Sequence, residues 1–187
     1  LAVLGAGHLP GVEAYLKKIA AGDETTDTSD IDQVPPKTGL SKYAGWIIPI
    51  AIVALVALGF ALGGKHVGSE MIGSWILWNA SLAALGTLAA GGHPITIVSA
   101  AVGAPVTSLT PVIGVGLVTG AVQAYFCKPK VSDMESLQTD AGSIKGWYRN
   151  RLLRVLLVFL LSTLGSSTGT FIAGADIVKS FGAFFSV

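Results

Sequence analysis

Charged residues are almost absent from the middle of this sequence. Between Ala44 and Cys127 the only formally charged side chains are those of Lys65 and Glu70. Over the whole chain 12% of the residues are charged, whereas a typical soluble domain carries about 25%. A charged side chain at the centre of a bilayer costs about 3 kcal/mol, so a hydrocarbon solvent imposes this segregation. The pattern predicts a membrane protein and excludes a soluble or disordered chain for most of the length.

The small net charge and the single cysteine exclude further classes of protein. A formal net charge of +1 argues against nucleic-acid binding, which needs a clustered basic face. One cysteine, Cys127, permits neither an internal disulfide nor a cysteine-built zinc site. The partner that the composition predicts is the lipid bilayer.

The sequence divides into four parts of different composition. We expect the end of an α/β domain, an acidic linker, a helical transmembrane region and a tail, at residues 1–22, 23–42, 43–175 and 176–187 respectively. In the first part Leu1–Leu4 suits a buried strand, a glycine-rich turn follows, and a helix runs from about Gly11 to Ala21. The predicted fold class is therefore mainly α: a polytopic α-helical membrane region after the terminal strand-turn-helix of a truncated α/β domain. Because the chain starts with a strand and without Met, we expect it to be the C-terminal part of a longer protein.

Three apolar segments are long enough to cross a bilayer as helices, which takes about 20 residues. They are residues 43–62, 69–90 and 152–173. A fourth segment, 95–126, is apolar but is interrupted by Pro105 and Pro111. We predict a broken hairpin there, with limbs of about Ile95–Ala104 and Val112–Phe126. Irregular backbone at membrane depth is tolerated where protein or water covers it, so both a re-entrant hairpin and two full crossings stay open.

The placement of lysine and arginine predicts the orientation. Cytoplasmic loops carry an excess of these residues, and the loop 128–151 is rich in them. We therefore expect an integral, multi-pass protein of the cell membrane, with the N-terminal segment and loop 128–151 in the cytoplasm. This orientation requires that the segment 95–126 enters and leaves at one face or crosses twice.

Histidine is scarce, and His8 is the most suggestive of the three histidines. A strand, Gly5-x-x-His8 and a helix start would place an imidazole beside helix N–H groups, a position that suits an anion or a metal-bound water. One neutral imidazole is a common metal ligand but does not make a site by itself, so a turn histidine bonded to local backbone stays an alternative. Gly5 and Gly7 also begin a dinucleotide-binding pattern, but its third glycine and its acidic residue are missing at the required spacing.

Other polar residues stand in apolar surroundings. His66 lies in a short turn and is expected to be solvated, while His93 could cap the next helix or anchor a partner. Asn79 and Gln123 lie at membrane depth, where polar side chains join helices or line a pathway. The predicted spans contain no chain of Asp, Glu or His of the kind a proton relay uses. Positive-inside anchors are expected at three arginines: Arg149, Arg151 and Arg154.

Several motifs resemble those of the TraB/PrgY family, known for pheromone-shutdown proteins. The stretch Val3–Gly11, with the sequence VLGAGHLPG, looks like the family's closing motif. The membrane part looks like that of archaeal and bacterial members at these stretches: His93–Thr96, Ala104–Leu109, Pro111, Gly114, Gly116, Lys128–Pro129, Gly146–Arg151 and Leu164–Ser166. The resemblance covers nearly the whole chain except the acidic linker.

The resemblance implies a chemistry for the N-terminal motif. The family is similar to the Tiki-type proteins, which are metal-dependent proteases with paired Gly-x-x-His motifs. By that resemblance Gly5 and His8 form the second motif, and His8 is a catalytic residue or a ligand of a divalent metal ion. The first motif and its acidic and arginine partners would precede Leu1, so we do not expect this chain alone to be active. Gln123 stands where the resemblance leads us to expect an acidic residue.

Two functions follow as hypotheses. The resemblance implies a membrane-anchored, metal-dependent peptidase or an inhibitor of a peptide pheromone, with a peptide as substrate. The alternative is a non-enzymatic membrane protein that binds a peptide or passes a small solute near Pro105 and Pro111, because broken helices mark many transporter sites. The lack of charge within the predicted spans weighs against the alternative. A homo-oligomer is compatible with either hypothesis.

Overall fold

The structure is a computed structural model that describes residues 5–24, 27, 29 and 39–185. Those described residues are mainly helical and include no β-strand. The strand expected at Leu1–Leu4 and most of the acidic linker lie outside them. The helices are α1 Leu9–Ala21, α2 Gly39–Ala89, α3 Pro94–Thr107, α4 Val115–Phe126, α5 Val131–Glu135, α6 Leu137–Ala141, α7 Ile144–Arg149 and α8 Arg151–Phe185. The chain forms two units, Leu1–Gly39 and Leu40–Val187.

The first unit contains one 3₁₀ turn, Ala6–His8, followed by α1. Pro10 lies in the first turn of α1, where the N–H that proline lacks would have no intrahelical partner. The helix ends at Gly22, whose φ of 81° is the left-handed conformation that glycine adopts most readily. The Gly22 N–H donates to Ile19 O at 3.1 Å. The helix therefore starts two residues before the expected Gly11, and none of its residues is buried.

Gly64 folds α2 back on itself. Its φ of 74° and ψ of −174° are non-helical, and glycine adopts this φ without strain. We name the two resulting helical segments arm A (residues 39–63) and arm B (residues 65–89). The arms pack closely, because a Cβ at Gly59 in arm A would lie only 2.6 Å from Met71 Sδ in arm B. Small residues of this kind let two helices approach each other.

The helices α3 and α4 form a hairpin whose outer ends lie together. The His93 N–H donates to Gln123 Oε1 at 2.8 Å, and the His93 ring stacks on Phe126 with 4.9 Å between the ring centroids. The connecting turn, residues 108–114, forms the opposite end of the hairpin. Helix α3 continues to Thr107, three residues beyond the predicted limb. The two helices are about 21 and 18 Å long, and both are shorter than the hydrocarbon core of about 30 Å.

Helix α8 packs along arm B through glycines. The closest approaches are at Gly86, Gly165 and Gly169. A Cβ at any of these positions would overlap or crowd the backbone of the facing helix. The helix runs to Phe185 and corrects the prediction of a span that ends at residue 173 before a separate tail. It continues because Ile177 is fully buried against arm B in the hydrophobic core.

Two described helices are long enough and apolar enough to cross a membrane, by length and composition alone: Tyr43–Ala89 and Arg151–Ala183. The first of these contains both arms of α2, and each arm is about 37 Å long. The helices α3 and α4 are shorter apolar helices.

Three short helices, α5 to α7, and their connecting turns form a layer that we name the polar cap (residues 127–150). Gly146 lets α7 lie against the end of α6, because a Cβ there would overlap the backbone of Asp140. The Tyr148 hydroxyl donates to Ala89 O at 2.9 Å. The cap therefore lies at the end of the second unit where arm B ends and where α3 begins.

Candidate functional site

His8 lies between the 3₁₀ turn and α1, at an exposed position. Its backbone N–H donates to Gly5 O at 2.9 Å, which closes the Gly5-x-x-His8 turn. His8 is the N-cap residue of α1, but its side chain makes no capping hydrogen bond. A Cβ at Gly5 would lie 3.5 Å from His8 Cδ2, so the imidazole lies against this glycine. The imidazole is thus placed where it can meet an external ligand.

The described part of the chain supplies no companion ligands for His8. No group of three or more His, Cys, Asp or Glu side chains in this part could hold a metal ion. The second Gly-x-x-His residue therefore stands as a single candidate ligand, and the metal assignment stays a prediction.

The other two histidines have structural partners. His66 Nδ1 lies 3.5 Å from Glu70 Oε2, and both side chains are exposed near the Gly64 turn. His93 Nδ1 accepts a hydrogen bond from the Ile95 N–H at 3.3 Å and so caps α3. Of the two roles open for His93, the structure shows the helix cap.

Asn79 joins arm B to α8 at the centre of the bundle. It is fully buried, and its Oδ1 accepts hydrogen bonds from the Ser166 and Thr170 hydroxyls at 3.3 and 3.1 Å. Its Nδ2 donates to Trp75 O at 3.1 Å. All three bonds are internal, so Asn79 connects helices and does not present a group to a pathway.

Gln123 is fully buried in α4 and holds the start of α3. Its Oε1 accepts hydrogen bonds from the His93 N–H and from the Thr96 hydroxyl at 2.8 and 3.0 Å. Its Nε2 is buried without a hydrogen-bond partner among the described residues. An acidic residue at this position would place an oxygen where this unpaired amide nitrogen lies.

A cavity of about 280 Å³ lies at the inner end of the α3–α4 hairpin. Arm A covers one side through Gly45, Ile48 and Pro49, and the turn 108–114 and the middle of α8 form the others. Half of the lining residues are Ser or Thr and none is charged. The cavity therefore places hydroxyl groups at the point where the hairpin interrupts its helical backbone.

Asp176 is an acidic side chain that sequence reasoning assigned to the tail. Its Oδ2 accepts a hydrogen bond from Trp78 Nε1 at 2.8 Å and lies 3.3 Å from the Ser74 hydroxyl. These bonds tie α8 to arm B beyond Asn79. The signal in the sequence is the continued apolar spacing around it, since Ala173 and Ile177 are both buried.

The polar cap contains a second buried acid that sequence reasoning did not single out. Asp140 Oδ2 accepts hydrogen bonds from the Ser136 hydroxyl at 2.7 Å and from Asn150 Nδ2 at 3.1 Å. These two hydrogen bonds, and then Arg149 at 2.9 Å, lower the pKa of Asp140 below its ordinary value of 3.8, while burial raises it. Asn150 Oδ1 also accepts from the Leu153 N–H at the start of α8. The network fixes the cap to α8.

The predicted arginine anchors also serve this layer. Arg149 pairs with Asp140, and Arg151 Nη1 donates to Lys128 O at 3.3 Å. Arg154 donates to Tyr148 O. Each arginine thus bonds within the cap region in addition to carrying positive charge.

Residues 40–182 match the family model described as the C-terminal domain of TraB family proteins. The chain belongs to the TraB family. The chain is also similar to an uncharacterized protein of Methanocaldococcus jannaschii, with 35% identity over 175 residues. The similarity covers 91% of this chain and 44% of that relative, so the chain spans less than half of the relative's length. No solved structure matches the chain.

The TraB match confirms the family that the motifs suggested and separates the candidate residues into two groups. Asn79, Gln123, Asp140 and the hairpin cavity lie within the matched C-terminal domain. The Gly5-x-x-His8 turn precedes the match. The TraB C-terminal domain is therefore the helical second unit, and the histidine with a proposed chemistry lies in the other unit.

Proposed function

We propose that the second unit is embedded in a membrane and anchors a TraB-type protein there. The observation that carries this proposal is the reversed distribution of polarity in the unit. The side chains of Asn79, Thr119 and Ser162 are fully buried, whereas those of Leu77 and Val102 are 64% and 71% exposed. A protein in water buries its apolar residues and exposes its polar ones, and a lipid solvent favours the reverse because internal hydrogen bonds satisfy the polar groups.

The polar cap gives the proposed anchor its orientation. Its basic residues lie at one end of the unit, and cytoplasmic loops are enriched in Lys and Arg. We place the cap and the N-terminal segment in the cytoplasm. The hairpin of α3 and α4 then enters and leaves at the cytoplasmic face.

A lysine substitution at an exposed apolar position distinguishes lipid from water. Val102→Lys in α3 should destabilise the membrane-reconstituted full chain by about 3 kcal/mol if this face meets lipid. In water an exposed substitution changes stability by at most about 0.5 kcal/mol. Ile144→Lys is the matched control, because Ile144 is 83% exposed in the polar cap. Equal, small effects of both substitutions would contradict the membrane location.

We further propose that the TraB-type protein is a metal-dependent peptidase and that His8 is one of its metal ligands. Family membership and the exposed, uncapped imidazole of His8 support this proposal, since a neutral imidazole is a common ligand of divalent metals. A bound metal ion would polarise the peptide carbonyl and activate a water. His8 would supply one ligand nitrogen beside Gly5, and the remaining ligands would come from outside this chain.

The metal proposal is tested on the full-length protein. His8→Ala should lower the bound divalent metal, measured by elemental analysis, and should abolish cleavage of a peptide substrate. His66→Ala is the matched control, because His66 is also exposed but lies in the other unit. Unchanged metal content and cleavage in the His8 variant would refute the role of this residue.

The hairpin cavity favours a second candidate function, a non-enzymatic one. A protein that binds a peptide or passes a small solute would use an interrupted helix pair of this kind. Solute flux into liposomes that contain the reconstituted chain, lost when the cavity is blocked, would favour this candidate. Absence of flux together with His8-dependent cleavage would favour the peptidase.

A further inference from the structure

The inner end of the α3–α4 hairpin does not reach the end of the bundle. Trp75 Nε1 donates to Pro105 O at 3.0 Å, which places the end of α3 beside Trp75. Arm B continues from Trp75 to the Gly64 turn for eleven more residues, or about 16 Å. Helix α8 likewise continues beyond Thr170, a residue that lines the cavity, to Phe185. The turn 108–114 therefore lies at an intermediate depth.

The backbone of this turn is only partly satisfied by its own side chains. The Thr110 hydroxyl lies within hydrogen-bond distance of Thr107 O and Ile113 O, at 3.0 and 3.2 Å. Gly114, the N-cap residue of α4, has no side chain to cap the helix. The first N–H groups of a helix have no intrahelical acceptor. They need an acceptor from outside α4.

Neighbouring hydroxyl groups do not remove this requirement. The hydroxyls of Ser166 and Thr170 are directed to Asn79 Oδ1, and that of Thr163 donates to Phe159 O at 2.7 Å. Each hydroxyl has a single proton, so these groups offer only lone pairs to the cavity. Lone pairs and free backbone N–H groups together suit molecules that both donate and accept hydrogen bonds. Water is the smallest of these.

We propose that the cavity at the hairpin turn is a hydrated recess that admits small, uncharged, hydrogen-bonding molecules to membrane depth. The proposal rests on the proposed membrane location of the second unit, because only in lipid does irregular backbone require cover by protein or water. A volume of about 280 Å³ holds several waters, since one water occupies about 30 Å³ in the liquid. A charged solute is disfavoured because no charged side chain lines the cavity.

Two adjacent residues of α8 provide a matched pair of reporters. Ser167 lines the cavity, whereas Thr168 is exposed and does not. Each is replaced by cysteine in a Cys127→Ser background, because Cys127 is the only native cysteine. Ser69→Cys, at an exposed position near the Gly64 turn, reports a thiol in water.

The experiment measures the rate at which iodoacetamide alkylates each cysteine variant of the full chain in lipid nanodiscs, where both faces are open to the reagent. Iodoacetamide is itself a small, uncharged, polar molecule. We expect Ser167→Cys to react at least about tenfold faster than Thr168→Cys. The thiolate is the reactive form, apolar surroundings raise the pKa of a thiol, and one pKa unit changes the thiolate fraction tenfold. Thr110→Cys serves as a second recess reporter if Ser167→Cys does not fold.

The outcomes separate this proposal from the membrane location on which it rests. If the recess cysteine reacts as slowly as Thr168→Cys while Ser69→Cys reacts fast, the cavity is dry or is covered by a second copy, and the recess is refuted. If Thr168→Cys reacts as fast as Ser69→Cys, the outer face of α8 is in water and the proposed membrane location fails.

Discussion

The contact between α8 and arm B depends on Gly169, and its replacement by alanine gives a quantitative test. A Cβ at Gly169 would lie 2.7 Å from Trp78 O and 2.9 Å from Asn79 Cα. Ordinary van der Waals contact begins at 3.4 Å, so the helices must separate by about 0.7 Å, from 2.7 to 3.4 Å. A shift of this size would lengthen the hydrogen bond between Ser166 and Asn79 beyond its present 3.3 Å and break it.

The expected loss of stability follows from these terms. Overpacking costs about 1–3 kcal/mol, and a lost hydrogen bond costs about 0.5–1.5 kcal/mol. The higher helix propensity of alanine offsets about 0.5–1 kcal/mol. We therefore expect Gly169→Ala to destabilise the protein by about 1–3 kcal/mol, since the overpacking term is the largest.

Gly174→Ala on the same helix is the control. No atom lies within 4 Å of a Cβ placed at Gly174, so only the propensity term remains and the variant should gain about 0.5–1 kcal/mol. The free energy of unfolding is measured for the full chain in detergent micelles by SDS titration, with tryptophan fluorescence as the signal. Trp75 and Trp78 report directly from the packed region. If both variants shift the stability in the same direction, the close approach at Gly169 does not exist as described.

Two further predictions concern the buried polar groups. Because the pKa of Asp140 is lowered in the folded state, its stabilising contribution is complete above the ordinary carboxyl pKa of 3.8 and is lost as the pH falls below that value through the folded pKa; Asp140→Asn should remove this acid-dependent loss in an unfolding series from pH 6 to about pH 2, and exposed Glu135→Gln should retain it. Gln123→Ala should destabilise the chain by about 1–3 kcal/mol, because it leaves the His93 N–H without its acceptor, whereas exposed Gln138→Ala should stay within about 0.5 kcal/mol, and equal effects in the same unfolding assay would contradict the role of Gln123.

Local sequence features located the interruptions of the helices. Gly64 needs a positive φ, and the prolines near residues 105 and 111 cannot continue a regular helix. These preferences act within one turn of the chain and are legible without knowledge of the rest. The Gly5-x-x-His8 turn is local for the same reason, and its geometry needs only the Gly5 carbonyl and the start of α1.

The sequence did not reveal the acceptors and donors that come from distant residues. Asp176 was assigned to a tail, but it bonds to Trp78, a residue 98 positions away. Asp140 drew no attention because its partner Asn150 comes close only when Gly146 lets α7 fold back against α6. Side-chain partners of this kind depend on the packing of helices, which no local spacing encodes.

The sequence by itself determined that the chain is mainly helical, that it belongs to the TraB family, and that its charges are segregated from a long apolar region. The tertiary structure alone decided that polar side chains such as Asn79 and Gln123 face inward while apolar ones face outward. It also decided that the hairpin turn encloses a cavity lined by hydroxyl groups. Composition and periodicity count residues along one chain, whereas the direction in which a side chain faces depends on which other helix packs against it.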